Sequence, residues 1–370
     1  MRRAADLDWV LVLAALAASV LGVLLVWSAT RADAGGAVAG RQAAFVVVGV
    51  AVAAVVASAD LRRLRAVTPW VYLAAVAGLV TVLTPLGSTV NGSRSWISLP
   101  SGFSLQPAEV AKLALVVGIA LLLTDRAALA AGPRVPRDRS VVLALLAAGV
   151  PLGLVLAQPD LGSGVVLAAL VLGMVAVSGA RARWVVSLVA VGAAGLVVVL
   201  AGGFLEGYQR DRLVAFTDPD ADPRGIGYQT RQVRIAIGSG GLLGRGLFAG
   251  AQTQGGLVPH DHTDFVFSVA GEELGFAGAA LLLALLGVVL WRAVRTGLAS
   301  SDEFGVLVAG GVACWLAFQV FANVGMNLGI MPVTGLPLPF VSYGGSSMVA
   351  AWAAVGLLLN VRLAGSPSRR

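Results

Sequence analysis

MRRAADLDWVLVLAALAASVLGVLLVW, Met1 to Trp27, places Arg2, Arg3, Asp6 and Asp8 ahead of an unbroken apolar run. The run is too long for the core of a secretory signal peptide and offers no persuasive small-residue cleavage site, so it reads as a retained first membrane span. The whole chain agrees with that reading. Its 370 residues are 58% hydrophobic and 12% charged, with a mean hydropathy of +0.89. Those values lie outside the range of a soluble globular domain and inside that of a polytopic membrane protein. Cys314 is the only cysteine, which excludes an internal disulfide and a thiolate metal cage and makes redox chemistry a poor fit.

A hydrocarbon core about 30 Å thick takes roughly 20 helical residues to cross. On that ruler ten apolar segments are expected to span, near 8–28, 41–59, 67–84, 107–124, 139–157, 161–178, 182–202, 264–291, 303–330 and 344–362. The expected class is all-α, one membrane domain over 1–370, with no internal repeat. Sixteen of the 26 basic residues fall at one set of ends: Arg2, Arg3, Arg62, Arg63, Arg65, Arg126, Arg134, Arg137, Arg139, Arg181, Arg183, Arg292, Arg295, Arg362, Arg369 and Arg370. The positive-inside rule assigns these ends, and with them both termini, to the cytoplasm. The net charge of +7 then suits an anionic inner leaflet and gives no reason to invoke nucleic acid.

Three segments on the opposite side are unusual. The connection between the seventh and eighth spans, about 203–263, is far longer than an ordinary ordered loop. In it Val233, Ile235 and Ile237 alternate with Arg234 and Ala236, as a short amphipathic piece at the interface would. NGSRSWISLPSGFSLQPAEVAK (91–112) carries Trp96 among polar residues and a proline at the entrance of the fourth span. PVTGLPLPFVSYGGSS (332–347) is so rich in Gly and Pro that its backbone must line a polar cavity or face water.

Charges inside spans are costly and are default candidates for function. Glu109 and Lys112 share one face of the fourth helix and can neutralise each other; Lys112 is the only lysine beside 25 arginines. The pair reads either as a helix clamp or as an ammonium meeting an anionic substrate from the outer leaflet. Asp160, in QPDLGSG, reads first as a helix N-cap. In VPHDHTDFVFSVAGEELGF (258–276), Asp264 opens the eighth span with Glu272 expected two turns lower on nearly the same face. An N-cap role for Thr263 or Asp264 is the plain reading. A partly desolvated carboxylate there also suits a general base. The HDHTD run fits no standard zinc spacing. A divalent cation, magnesium or manganese, bridging Asp264 and a substrate pyrophosphate is the more plausible metal expectation.

NGSRSWISLPSGFSLQPAEVAKLALV, QPDLGSG, GLFAGAQTQGGLVPHDHTDFVFSVAGEELGF and MPVTGLPLPFVSYGGSS, in this order along the whole chain, resemble the shape, elongation, division and sporulation (SEDS) family, that of RodA and FtsW. The resemblance implies ten spans with both termini cytoplasmic, in the bacterial cytoplasmic membrane. It also implies a peptidoglycan glycosyltransferase that polymerises lipid II at the outer face for a class B penicillin-binding protein. By matching positions, Asp264 is the expected catalytic residue, and Trp96, Glu109 and Lys112 are expected to be functionally important. The family usually reads Pro-Glu where this chain has Pro259–His260, which puts a second acidic role in doubt. The wording LPSGFSLQPAE and the short tails favour a RodA-like elongation role over an FtsW-like septal one.

On this reading Asp264 takes the proton of the acceptor hydroxyl, and cations face the leaving pyrophosphate. Lys112, Arg94, Arg210 and Arg212 are the candidates, with Asp160 among the substrate-binding residues and Trp96 placed to stack on sugar or sit at the interface. The alternative from a different class is a flippase or transporter for the same lipid-linked precursor. Such sites lie near the midplane between repeats, whereas here the charges gather on one side. A pure scaffold would leave the buried pair unexplained.

Overall fold

The structure, a computed structural model, describes residues 7–90, 92–98, 103–124, 135–202, 207–218 and 225–365. Three helices come first, α1 (Trp9–Ala34), α2 (Ala37–Ser58) and α3 (Leu61–Leu83). Strands β1 (Gly87–Val90), β2 (Ser93–Ser98) and β3 (Ser104–Leu105) follow, and then α4 (Pro107–Leu123), α5 (Asp138–Ala157), α6 (Leu161–Val177) and α7 (Ala182–Ala201). The long connection holds α8 (Gly207–Thr217), α9 (Ile226–Ser239) and α10 (Ala251–Gln254). The chain closes with α11 (Val266–Glu273), α12 (Gly275–Ala299), α13 (Glu303–Leu328) and α14 (Gly345–Ala364).

Among the described residues eight helices are long and apolar enough to cross a membrane: α1, α2, α3, α5, α7, α12, α13 and α14. This is a multi-pass, mainly helical membrane protein. Two further expected spans correspond to α4 and α6, each of 17 residues. Aspartates start several helices by accepting an orphan backbone N–H: Asp8 from Leu11, Asp160 from Ser163 and Asp302 from Phe304. Pro107 occupies the first turn of α4, where no N–H is needed. Of the eight long apolar helices the most enclosed is α14, packed tightly on α2, where Gly49 meets the Trp352 ring and Gly356 meets the Ala53 backbone. Small residues let the two backbones approach this closely. By contrast, no residue of α7 is buried.

Three features refine or correct the sequence expectation. First, the mainly helical architecture carries one small antiparallel sheet, β1, β2 and β3, which holds Trp96 and Arg94. Second, the expected amphipathic piece is a helix, α9. Its buried face is Gly227, Thr230, Val233 and Ala236, while Ile235 is exposed; the face repeats every three residues, so burial follows the helix and not the alternation of Val233, Ile235 and Ile237.

Third, the expected eighth span is broken. Asp264 lies in a turn before α11, whose first turn has no side-chain cap, and Gly275 adopts φ +66° between α11 and α12. The break leaves helix-terminal backbone groups unpaired, and the glycine-rich turn at 240–246 answers them. Arg245 and Gly246 donate their N–H groups to the carbonyls of Glu272 and Glu273, while Phe276 and Ala277 donate to those of Gly241 and Leu242. Glu272 therefore does not lie below Asp264 on a shared face. Its carboxylate accepts from the N–H groups of Gln252 (2.8 Å) and Thr253 (3.0 Å) at the start of α10.

One end of the bundle collects ion pairs. Asp8 accepts from Arg292 Nε at 2.8 Å and from Arg362 Nη1 at 2.7 Å, and Arg65 Nη2 donates to both carboxylate oxygens of Asp302. Arg181 and Arg183 meet Asp138. Arg2, Arg3, Arg126, Arg134, Arg369 and Arg370 lie outside the described residues.

Candidate active site

At the other end of the bundle, the small sheet, the turn at 260–265 and the loop at 332–344 close around an open cavity of about 260 Å³. The pieces are stitched by backbone groups. Tyr343 N–H donates to the His262 carbonyl at 2.9 Å, and the Ser342 hydroxyl donates to the Thr263 carbonyl. Ser93 reaches the carbonyl of Gln158 between α5 and α6 at 2.9 Å. The Gly- and Pro-rich segment lines the cavity with Thr334, Gly335, Pro337, Tyr343 and Gly344, as its irregular backbone required.

Asp264 stands in this wall, half-buried. The turn that presents it is wound around one carbonyl: the N–H groups of Thr263, Asp264 and Phe265 all point to the oxygen of His260. His260 takes φ +58° to make this possible, an uncommon conformation for a residue with a Cβ. The Asp264 carbonyl is held from behind by Asn323 Nδ2 at 2.9 Å and Asn327 Nδ2 at 3.2 Å. Burial pushes the Asp264 carboxyl above the usual aspartate value. His260, Arg212, the Thr263 hydrogen bond and His262 pull the other way, so the group is moved towards neutrality while the Arg212 guanidinium still acts on it.

Of the residues expected to bind substrate, the cavity brings Trp96, Asp160 and Arg212 together with Asp264. Arg212, on α8, rests its Nη1 on the Thr334 carbonyl at 3.3 Å. Asp160 caps α6 and also accepts from Gln106 Nε2 at 3.3 Å while lining the cavity.

The other four are elsewhere. Arg94 turns back to the carbonyls of Thr84 (2.6 Å) and Gly87 (3.2 Å), and Arg210 is exposed on α8 and does not line the cavity. Glu109 and Lys112 are 2% and 0% exposed and pair at 2.7 Å inside the bundle. Lys112 gives a second hydrogen bond, 2.9 Å, to Gln319 Oε1 and sits 5.0 Å from the Trp315 ring centre. The ion pair is thus a clamp between α4 and α13, and its charge is spent on protein partners. Among the described residues no group of three or more His, Cys, Asp or Glu is arranged to hold a metal ion.

Sequence reasoning did not single out Gln106, Gln319, Asn323 or Asn327. A signal existed for the last three: amides four residues apart in an otherwise apolar helix are polar groups that need partners in lipid.

Comparison with known proteins identifies the family of the whole chain. The model of the FtsW, RodA and SpoVE family, described as a cell cycle protein, matches residues 8–366. The chain is 37% identical to stage V sporulation protein E of Bacillus subtilis, with 96% of each chain covered. It is 34% identical to the peptidoglycan glycosyltransferase MrdB of Escherichia coli, covering 96% of this chain and 93% of that one. Among solved structures, a chain from a study of how a peptidoglycan synthase complex coordinates polymerization and crosslinking superposes with a TM-score of 0.80. It is 34% identical and covers 98% of this chain and 99% of that one. The crystal structure of Thermus thermophilus RodA gives a TM-score of 0.71 at 32% identity, with 96% of each chain covered.

Proposed function

Because the chain belongs to the FtsW, RodA and SpoVE family, we propose that its cavity is where one lipid-linked disaccharide is joined to another, with Asp264 as the base. The chain is a peptidoglycan glycosyltransferase, and relatives named FtsW, SpoVE and MrdB align with it at similar identity, so polymer formation is the activity common to the elongation and septal readings. The single observation that carries the assignment is the half-buried Asp264 carboxylate standing in a cavity wall with Arg212 and Trp96.

In the reaction the acceptor hydroxyl gives its proton to the Asp264 carboxylate as its oxygen bonds to the donor's anomeric carbon. The bond from that carbon to the diphosphate breaks, and the electron pair leaves on the phosphate oxygen. Arg212 is the cation placed to face that charge, with a planar fork suited to phosphate oxygens. Trp96 offers a face for a sugar ring, and Asp160 an acceptor for a sugar hydroxyl. Glu109, Lys112 and Arg94 act from outside the cavity through protein contacts, and Arg210 takes no part in its lining. A divalent cation here would have to be held by Asp264 and substrate oxygens, in the manner usual for magnesium.

The topology that fits is ten spans with both termini cytoplasmic in the bacterial cytoplasmic membrane. Eight long apolar helices, α4 and α6, and the gathering of arginine ion pairs opposite the cavity support it. The substrate is then lipid II at the outer face, and the partner a class B penicillin-binding protein. The likeness to a chain of a peptidoglycan synthase complex supports the partner. The deciding experiment is polymerisation of lipid II by the purified chain with its co-purifying transpeptidase. Asp264→Asn is expected to abolish polymer while leaving insertion and the thermal transition intact. Polymer at the normal rate would overturn the base assignment, and lipid translocation without polymer would favour a flippase.

A further inference from the structure

Trp315, Gln319, Asn323 and Asn327 follow one another at intervals of four along α13, so they stack on one face of that helix. None is more than 1% exposed. Each polar rung donates at least one hydrogen bond to a segment that walls the cavity. Gln319 Oε1 accepts from Trp315 Nε1 at 2.7 Å and from Lys112 Nζ at 2.9 Å. Two donors on that oxygen fix the sense of the amide, and its Nε2 is left to donate to the Pro337 carbonyl at 2.8 Å. Asn323 Nδ2 donates to the Leu336 carbonyl at 2.7 Å and to the Asp264 carbonyl at 2.9 Å. Asn327 Nδ2 reaches the same Asp264 carbonyl at 3.2 Å and the Asn323 carbonyl at 2.9 Å.

Two walls of the cavity are therefore clipped to a single helix. One is the turn that presents Asp264. The other is the 334–337 segment, whose Thr334 carbonyl carries Arg212. We propose that Gln319, Asn323 and Asn327 are positioning residues for glycosyl transfer, setting Asp264 against the 334–337 wall. The Glu109–Lys112 pair acts on the site through Gln319 without touching substrate. Neutral amides suit the task, because they supply donors to irregular backbone inside an apolar helix bundle without adding charge. The proposal rests on Asp264 being the base, and it says why a lysine sealed from the cavity is present: its ammonium orients the first rung.

The role makes a distinction that simple packing does not. A displacement of about 1 Å in a reacting group can cost roughly 100-fold in rate, whereas loss of a buried hydrogen bond far from the reacting atoms lowers stability and leaves turnover per folded molecule unchanged. The test uses the full chain with its co-purifying transpeptidase in vesicles, lipid II as substrate, and kcat and KM normalised to folded protein. Asn323→Leu is expected to lower kcat about 100-fold. Asn327→Leu leaves the Asp264 carbonyl one amide donor, so about 10-fold is expected, with KM within about twofold in both.

Asn327 decides the matter if Asn323→Leu fails to fold, because its own Oδ1 has no protein partner and a leucine there leaves Asp264 held by Asn323. Normal kcat in folded Asn327→Leu, with or without a lower thermal midpoint, overturns the proposal. Asp264→Asn run alongside separates the two claims. If it is inactive while the amide variants turn over normally, only the ladder's role fails. If it is active, the base assignment fails first.

Discussion

Asp264 and Arg212 converge on the same glycine. A Cβ added to Gly335 would lie 3.7 Å from Asp264 Oδ2 and 3.5 Å from Arg212 Nη2, and Gly335 itself holds φ +72°. The carboxylate proposed as the base and the guanidinium proposed to face the leaving group thus meet across a residue that has no side chain. Gly335→Ala places a methyl between them at ordinary contact distance and adds about 1–2 kcal/mol of backbone strain. We expect a modest loss of stability and a drop in polymer formation of about 10-fold or more, read as initial rate per folded protein. An unchanged rate would mean that substrate does not pass between the two groups.

The pH profile follows from the environment of Asp264. The base works deprotonated, and burial favours its protonated form. On acidification it should be lost earlier than a free aspartate, which titrates near about 4, so the acidic limb of kcat lies above that value. His260 and Arg212 oppose the shift. His260→Gln removes one of these counterweights and should move the limb to higher pH, and His260→Glu, which adds a like charge, should move it further. A limb at or below that of free aspartate would show that another group is the base.

Breaking the buried pair tests its structural side. Lys112→Met leaves the Glu109 carboxylate sealed in the bundle, where Glu109 Oε2 already has no partner. Removing one member of such a pair typically costs about 3–5 kcal/mol. The double variant Glu109→Leu with Lys112→Met should recover much of that stability, because apolar groups of similar size replace both charges. Thermal unfolding in detergent distinguishes the cases, and equal destabilisation by single and double variants would contradict the account.

At the opposite end, Asp8 does two jobs, capping α1 and receiving Arg292 and Arg362. Asp8→Asn keeps a good cap while discarding the charge, and Asp8→Ala removes both. The alanine variant should be less stable than the asparagine variant by about 1 kcal/mol. Identical thermal midpoints would assign the whole effect to the ion pairs.

Much of this architecture is legible in the residues. Long apolar runs, paired charges on one helix face and aspartates before helices follow from local rules, and the structure bears them out at α1, at Glu109–Lys112 and at Asp160. Of the residues expected together, Asp264, Trp96, Asp160 and Arg212 line one cavity, and Lys112, Glu109, Arg94 and Arg210 do not. What stayed hidden depends on contacts distant in sequence. No periodicity announces that the helix after Asp264 stops at Gly275, because the groups that complete it come from 240–246. Lys112 looked available to a substrate until Gln319, two hundred residues away, was seen to take its hydrogen bond. Arg94 was spent in the same way on Thr84 and Gly87.

The interrupted helix also bears on how this protein can change length. Residues 241–246 act as a splice that insulates four polar backbone groups, so a deletion or tag inserted there would strand them without partners. An epitope or fluorescent label threaded into this segment should cost the protein its assembly, even though Leu242 and Leu243 stand well exposed and the site looks permissive from outside.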